Sequence, residues 1–385
     1  MDINLLDRSW YAGDPGPGYV WLQAHAPVYH DPTTGLWGLS RHHDVVWAEA
    51  HPELFSSGLG SRPGREPQPS MIDSDDPRHL RRRRIVNKGF TPRRVGEHEA
   101  HLREVVTALI DRVEGDGGCD LVRDLAAPLP MRMIAELLGV PPTDGDMLQE
   151  WSDRLISGAD DPRYRTEEVM LAALGFAGYA DRIIEERRAD PRDDLLSLLV
   201  HATEGGEGLS HEELIGESML LLVGGNETTR NAISGGFEAL LRDYEQRDRL
   251  ARDLSGVPRA GEEFLRWVSP IINMARTTTR DVTIGDIVIP AGDQVLLMYG
   301  AANRDGQVFD QPERFDTTRE PNPHVSFGFG THFCLGASLA RLEIKVMVEE
   351  VLRRLPGIRL ADPDAPVART PSSFIRGIPG LPVVW

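Results

Sequence analysis

Cys334 carries more chemistry than any other single residue of this chain. It stands in the run Phe327-Gly328-Phe329-Gly330-Thr331-His332-Phe333-Cys334-Leu335-Gly336. Gly328 and Gly330 let the backbone turn tightly and lie close to a flat ligand, at positions a Cβ would obstruct. Directly after the cysteine, Leu335, Leu339, Leu342 and Val346 recur four, three and four residues apart, the spacing of one helix face. A cysteine at a helix N-terminus meets unpaired N–H groups and the positive end of the dipole, and both favour thiolate over thiol. A thiolate so placed is a polarisable ligand for iron.

Other reactive residue types lie far away in sequence. Gly224-Gly225-Asn226-Glu227-Thr228-Thr229 interrupts an apolar run with a glycine pair, an acid and an alcohol. Poor helix formers and a hydroxyl that competes for backbone carbonyls give a helix reason to bulge or kink there. His79 and Arg83 are four apart and project from one helix face. Arg276 and His332 add two further cationic or donor side chains. Glu263 and Arg266 form an acid–base pair at i and i+3, followed by Pro312-Glu313-Arg314-Phe315.

The cysteine run resembles the haem-binding loop of the cytochrome P-450 monooxygenases, F-G-x-G-x-H/R-x-C-x-G, with every fixed position filled. Gly224, Gly225, Glu227 and Thr228 are similar to the family's A/G-G-x-D/E-T element, and Glu263-x-x-Arg266 to its E-x-x-R. The resemblance extends from about Trp37 to Val384. Asn226 stands where His is frequent in the family, and Gly224 where Ala is frequent. The resemblance implies a mainly α fold with a minor β region, a triangular prism with a long central helix over the haem, in one domain spanning 1–385.

It also implies heme b as cofactor, with Cys334 as the metal ligand and Phe327 and Gly336 beside it. His79, Arg83, Arg276 and His332 fall on family positions that hold the haem propionates; planar guanidinium groups bind carboxylates in bidentate fashion. Glu227 and Thr228 would relay protons, because heterolysis of an O–O bond requires them and a positioned carboxylate with a hydroxyl supplies them. Glu263, Arg266 and Arg314 would form a structural network fixing the cysteine loop. The implied reaction inserts one oxygen atom of O2 into a C–H bond of a hydrophobic small molecule of the steroid, terpenoid or polyketide class. The patterns Gly224 to Gly236 and Asn322 to Val325 are similar to actinobacterial enzymes that hydroxylate steroid side chains. Electrons are expected from a separate ferredoxin and ferredoxin reductase, since two cysteines cannot supply the four thiolates of an ordinary iron–sulfur cluster.

The elements that must position these residues are mostly helices. Val45 to Phe55 reads as a short helix and its exit, and Ser56 to Ser70 as a Gly/Pro/Ser-rich loop. From Arg78 to about Val200 the pattern is helical, with pieces at Leu102–Val113, Met133–Leu138 and Tyr179–Arg188. Ser210 and Glu213 form a capping box that opens a long helix to about Leu241. Between Thr277 and Gly300 the pattern turns to short strands and hairpins, and a last strand pair is expected around Ile375 to Val384. Candidate substrate segments are Ser56–Ile72, Leu220–Val223, Ile271–Met274 and Ser373–Ile375, with Asn273 and the serines able to orient a polar group.

Composition excludes several classes. A hydrophobic content of 40% and charged content of 26% describe an ordinary globular chain. Two cysteines in 385 residues argue for a reducing, cytoplasmic compartment rather than a disulfide framework. Met1 to Tyr19 has no long apolar stretch, so neither a signal peptide nor a membrane anchor is expected, and the chain reads as a monomer. A net charge of −18 disfavours nucleic acid. Against it stand eight Lys or Arg between Arg78 and Arg94. Arg81, Arg82 and Arg84 of that run are expected to point outward as a basic site for an acidic ferredoxin. The competing readings are a peroxide-driven haem-thiolate enzyme, which would not need Glu227 and Thr228, and a non-enzymatic haem-binding protein.

Overall fold

The computed structural model describes residues 1–160 and 162–385. Its centre is the helix His211–Arg242, and its entry is local chemistry: Ser210 caps it and Glu213 closes the capping box. This helix packs against Pro128–Leu138, Gly145–Ser157, Glu167–Ala189, Val257–Val268 and Ala337–Arg354. Gly235 and Gly236 allow the closest of those approaches. A Cβ at Gly236 would collide with the Phe264 ring, and one at Gly235 would sit 2.8 Å from Val268 Cγ2. The helix is therefore ringed by neighbours, and its C-terminal half from Asn231 to Leu241 is buried on every side.

A five-stranded sheet lies to one side, in the spatial order Val28–His30, Trp37–Leu39, Gln294–Leu297, Met274–Thr278, Phe55–Ser56. Met274–Thr278 and Gln294–Leu297 pair antiparallel with Arg276 opposite Val295, which fixes the face on which Arg276 points. The hairpin Val282–Ile284 with Ile287–Ile289 completes the β region expected between Thr277 and Gly300. The chain is thus mainly α with a minor β part, as its sequence implied.

Three local expectations change. His42–Ala50 is the helix, and Phe55–Ser56 is already a strand of the sheet. No strand pair forms within Ile375 to Val384: Ile375 bridges Ile271, while Pro382–Val384 pairs with Gly118–Asp120 and Arg359–Leu360. Short C-terminal segments have apolar residues to bury but no fixed partner in sequence, so the partner is chosen by tertiary contact. Finally, His211–Arg242 runs as uninterrupted α-helix through Gly224–Thr229. The expected competition is present, since Thr228 Oγ1 donates to the Gly224 carbonyl at 2.7 Å, but it does not break the helix. Among the described residues no helix is long and apolar enough to cross a membrane.

Candidate active site

The cysteine loop is held from below by a buried ion-pair network. Arg266 Nε and Nη2 each donate to a Glu263 oxygen at 2.8 Å, with both side chains fully buried. Arg266 also donates to the carbonyls of Asn303, Pro312 and Arg314. The third cation is Arg319, 3.1 Å from Glu263 Oε2, and not the Arg314 side chain that the resemblance implied. Arg314 contributes its carbonyl instead. Asn303 carries the support onward: its amide donates to Ser269 Oγ and Ser326 Oγ, and its Oδ1 accepts from the Val325 N–H.

From there the loop closes on itself. The Cys334 N–H donates to the Phe327 carbonyl at 2.8 Å. Gly330 has φ +67° and lies against the Glu49 backbone carbonyl, so a Cβ there would collide. The helix begins at Ala337, three residues past Cys334, so the cysteine lies before the first turn and not in it. The N–H groups of Gly336 and Ala337 still reach the Cys334 sulfur. Burial nevertheless pushes the thiol up, against the pull of those N–H groups, Arg83 and Arg341. The helix end alone does not make the thiolate; a cation bonded to sulfur would.

Cys334 forms one wall of an internal cavity of about 290 Å3, and the solvent accessibility of its side chain comes from that cavity. Phe327 and Gly336 line it beside the sulfur; Gly224, Gly225 and Thr228 line it from the long helix. His79, Arg83, Arg276 and His332 converge on its rim. The His79 and His332 rings are 4.2 Å apart. Arg83 Nη2 donates to the Phe333 carbonyl, and Arg276 Nη2 lies 3.2 Å from Glu49 Oε1. His332 is driven down to about 2 by burial and by the neighbouring Arg276, His79 and Arg83. His79 is also lowered by burial, and its Nε2 is buried with no partner.

Two arginines and two histidines gathered on one cavity, with the His79 and His332 rings 4.2 Å apart, form a donor cluster suited to anions. An iron porphyrin fits this donor set: the Cys334 sulfur, the Gly224–Gly225 turn of the long helix and the cluster of His79, Arg83, Arg276 and His332 line the same cavity.

Glu227 and Thr228 part company. Thr228 faces the cavity, whereas Glu227 is buried on the flank of the helix toward Gly145–Ser157. Its Oε2 accepts from Arg230 at 2.5 Å and its Oε1 from Asn226 at 3.3 Å, and Arg230 also reaches Asp153 at 2.9 Å. Burial raises the Glu227 carboxyl, with Arg230 opposing. The acid therefore touches the cavity edge while tethered to a surface-leading cation.

All four candidate substrate segments contribute to the cavity, among them Ile72, Leu220, Val223, Ile271, Phe374 and Ile375. Asn273 and Ser373 do not serve as polar handles. Asn273 donates to the Ser373 carbonyl, and Ser373 N–H donates to Asp160, so both are spent on local structure.

Two polar lining residues were not singled out by sequence reasoning, although Arg62 lies within the candidate segment Ser56–Ile72. Glu343, on the helix after the cysteine, is buried, is pushed up to about 8, and hydrogen-bonds Thr229. Arg62 projects into the cavity from the loop before Met71. Neither has a spacing signal, because each meets its partners only through the fold. The basic run also turns out differently. Arg82 is fully buried against Glu213 and Glu217, Arg81 bonds Glu213 and the Gly208 carbonyl, and Arg84 pairs with Glu204. These arginines clamp the helix Arg78–Val86 to the start of the long helix; Arg82 cannot belong to an outward docking site.

Known proteins agree with this geometry. The family model "Cytochrome P450" matches residues 165–358. The chain is 46% identical to a steroid C26-monooxygenase of Mycobacterium tuberculosis, over all of this chain and 97% of that one. It is 41% identical to a methyl-branched lipid omega-hydroxylase of Mycobacterium bovis, over all of this chain and 95% of that one. Among solved structures, CYP109E1 from Bacillus megaterium in complex with testosterone superposes with a TM-score of 0.91 at 35% identity, covering 98% of this chain and 99% of the other. A buried thiol under a helix-roofed, apolar cavity defines a haem-thiolate protein class; the chain belongs to the cytochrome P450 family. It is a monooxygenase of hydrophobic substrates, and the family implies a haem-thiolate iron.

Proposed function

We propose that the cavity binds heme b through the Cys334 sulfur and hydroxylates an apolar molecule of the steroid or branched-lipid kind. The observation that carries this is one shared cavity, lined by Cys334, Thr228, His79, Arg83, Arg276 and His332 and otherwise mostly by apolar side chains. Because these residues span positions 62 to 375, the chain 1–385 reads as one domain. The haem, when bound, supplies activation of dioxygen and the oxidant for the C–H bond.

The protein's residues do the rest. Gly336 and Ala337 N–H groups stabilise negative charge on Cys334 Sγ, as Arg83 and Arg341 do from further away. His79, Arg83, Arg276 and His332 receive the propionates and relieve their mutual repulsion. Ile72, Val223, Ile271 and Phe374 exclude water and hold the substrate skeleton. Thr228 Oγ1 orients a proton at the helix surface, bonded for the present to Gly224. Glu227, once it exchanges Arg230 for a water, brings a proton inward from the Asp153 side. The steroid and branched-lipid preference is supported by the printed activities of the relatives and by the lining. Electrons are assigned to a ferredoxin and its reductase. Two free cysteines fit a reducing cytoplasm, and the working unit is read as a monomer, which sedimentation checks.

The test is turnover of a sterol-type ketone under isotopically labelled dioxygen, with ferredoxin, reductase and NADPH. Label in the hydroxylated product is expected. Product formed only with added hydrogen peroxide would replace this reading with the peroxygenase.

A further inference from the structure

We infer that Arg62 is a carboxylate anchor in the substrate cavity, so that the molecules bound best are apolar skeletons ending in an acid. The inference rests on the cavity serving as a monooxygenase pocket and goes beyond it in naming the polar end of the substrate. Arg62 lines the cavity, and its guanidinium lies flat over the Phe374 ring, 3.4 Å from the centroid. Its Nη1 donates to the Ser61 carbonyl and to Met274 Sδ, neither of them a charged acceptor. No described carboxylate forms an ion pair with it. The closest acid in charge terms, Asp73, is already occupied by the N–H groups of Ser61 and Gln68. Burial lowers the guanidinium to about 9, which is the cost of holding a cation among Phe374, Met274 and other apolar walls without a partner.

Several other buried arginines near the cavity have carboxylate partners. Arg266 has Glu263, Arg82 has Glu213, and Arg276 has Glu49. His79, Arg83, Arg276 and His332, which line the same cavity, would hold the haem propionates. Arg62 lines the cavity outside that set and has no ion-paired carboxylate among the described residues. It is preorganised by stacking on Phe374 and is a planar fork suited to a carboxylate. A carboxylate reaching it would leave its own hydrocarbon against Ile72, Leu220 and Ile271.

The shared chemistry of a haem propionate and a substrate acid is a carboxylate, so the experiment must separate them. Hexadecanoic acid and its methyl ester are titrated into the haem-loaded protein, by absorbance and by calorimetry, for wild type, Arg62→Gln and Arg62→Lys. Wild type is expected to bind the acid about tenfold or more tighter than the ester, as a charge-assisted pair requires. Arg62→Gln should lose that preference with ester affinity, haem content and carbon monoxide spectrum unchanged, and Arg62→Lys should keep part of it. Equal binding of acid and ester by wild type overturns the inference. So does Arg62→Gln weakening both ligands alike while haem passes faster to apomyoglobin, which would make Arg62 a propionate donor. A protein that takes up no haem, or whose thiolate-type spectrum survives Cys334→Ala, would instead bring down the cavity reading beneath it.

Discussion

Two groups of buried cations sit on either side of the cysteine loop, and they differ in one respect. Below the loop, Arg266 and Arg319 share Glu263, with carbonyls and Asn322 filling the remaining valences. Around the cavity, His79, Arg83, Arg276, His332 and Arg62 crowd one another with two paired carboxylates among them, Glu49 on Arg276 and Asp76 on His79, while Arg83, His332 and Arg62 form no ion pair with a described carboxylate. The first group is complete without any ligand. The second is complete only with anions supplied from outside. Burying charge is costly unless it is paired, so a satisfied cluster marks scaffold and an unsatisfied one marks a binding site.

The contrast breaks most severely at the residue between the two groups. Cys334→Ala is expected to abolish the thiolate-type carbon monoxide spectrum of the reduced protein, whereas Cys119→Ala leaves it intact; the reverse result would move the ligand to Cys119. Next in size is the long helix lining the same cavity. Thr228→Ala should keep haem, substrate binding and first reduction, yet lose about two to four orders of magnitude in coupled product formation. NADPH would be consumed and peroxide released. Glu227→Gln should slow oxygen activation and alter the solvent isotope effect, and wild-type coupling in both variants would end the proton-relay assignment.

The scaffold and the rim are distinguished by their behaviour without haem. Arg266→Leu leaves Glu263 buried and short of a partner, which costs about 3–5 kcal/mol and should appear in denaturant unfolding of apo- and holoprotein alike. Arg83→Leu removes a cation that pairs with no described carboxylate and bonds only the Phe333 carbonyl. Haem should transfer to apomyoglobin about tenfold faster, since charge-assisted hydrogen bonds are lost, while the apoprotein unfolds no more easily. Equal destabilisation of apoprotein by both variants would erase the comparison.

The last effect is a pH dependence. Burial raises Glu343 from its ordinary 4.5 to about 8. The folded state therefore holds a proton that the unfolded chain gives up, so stability falls as pH rises from about 4.5 toward about 8. Glu343→Gln should show a flatter stability profile across that window and exceed wild type most at its alkaline end; parallel melting curves would contradict it.

The amount legible in the sequence follows from how far apart the interacting residues lie. Glu263 and Arg266 are one helix turn apart, and the capping box at Ser210 spans three residues, so both were readable from spacing. Within the cysteine loop, glycine placement and Cys334 itself are local constraints, and the structure keeps them. What the third arginine would be was not local: Arg314 and Arg319 both follow the same loop, and the path of the chain past Asp316 presents Arg319 to Glu263. The basic run was legible as charge but not as burial, because Glu213, which takes Arg82 inward, lies 131 residues away.

Residue types at short spacings in the sequence singled out the cysteine loop, the Gly224–Thr229 element and the mainly helical plan, whereas the expected roles of Cys334, Glu227, Thr228, His79, Arg83, Arg276 and His332 came from the family resemblance. Tertiary structure alone decided that Glu227 is tethered to Arg230 while Thr228 faces the cavity, that Glu343 meets Thr229, and that Arg62 is left without an acid. Those outcomes depend on which distant surfaces close-pack, and a buried charge acquires or lacks its partner only when that packing is complete.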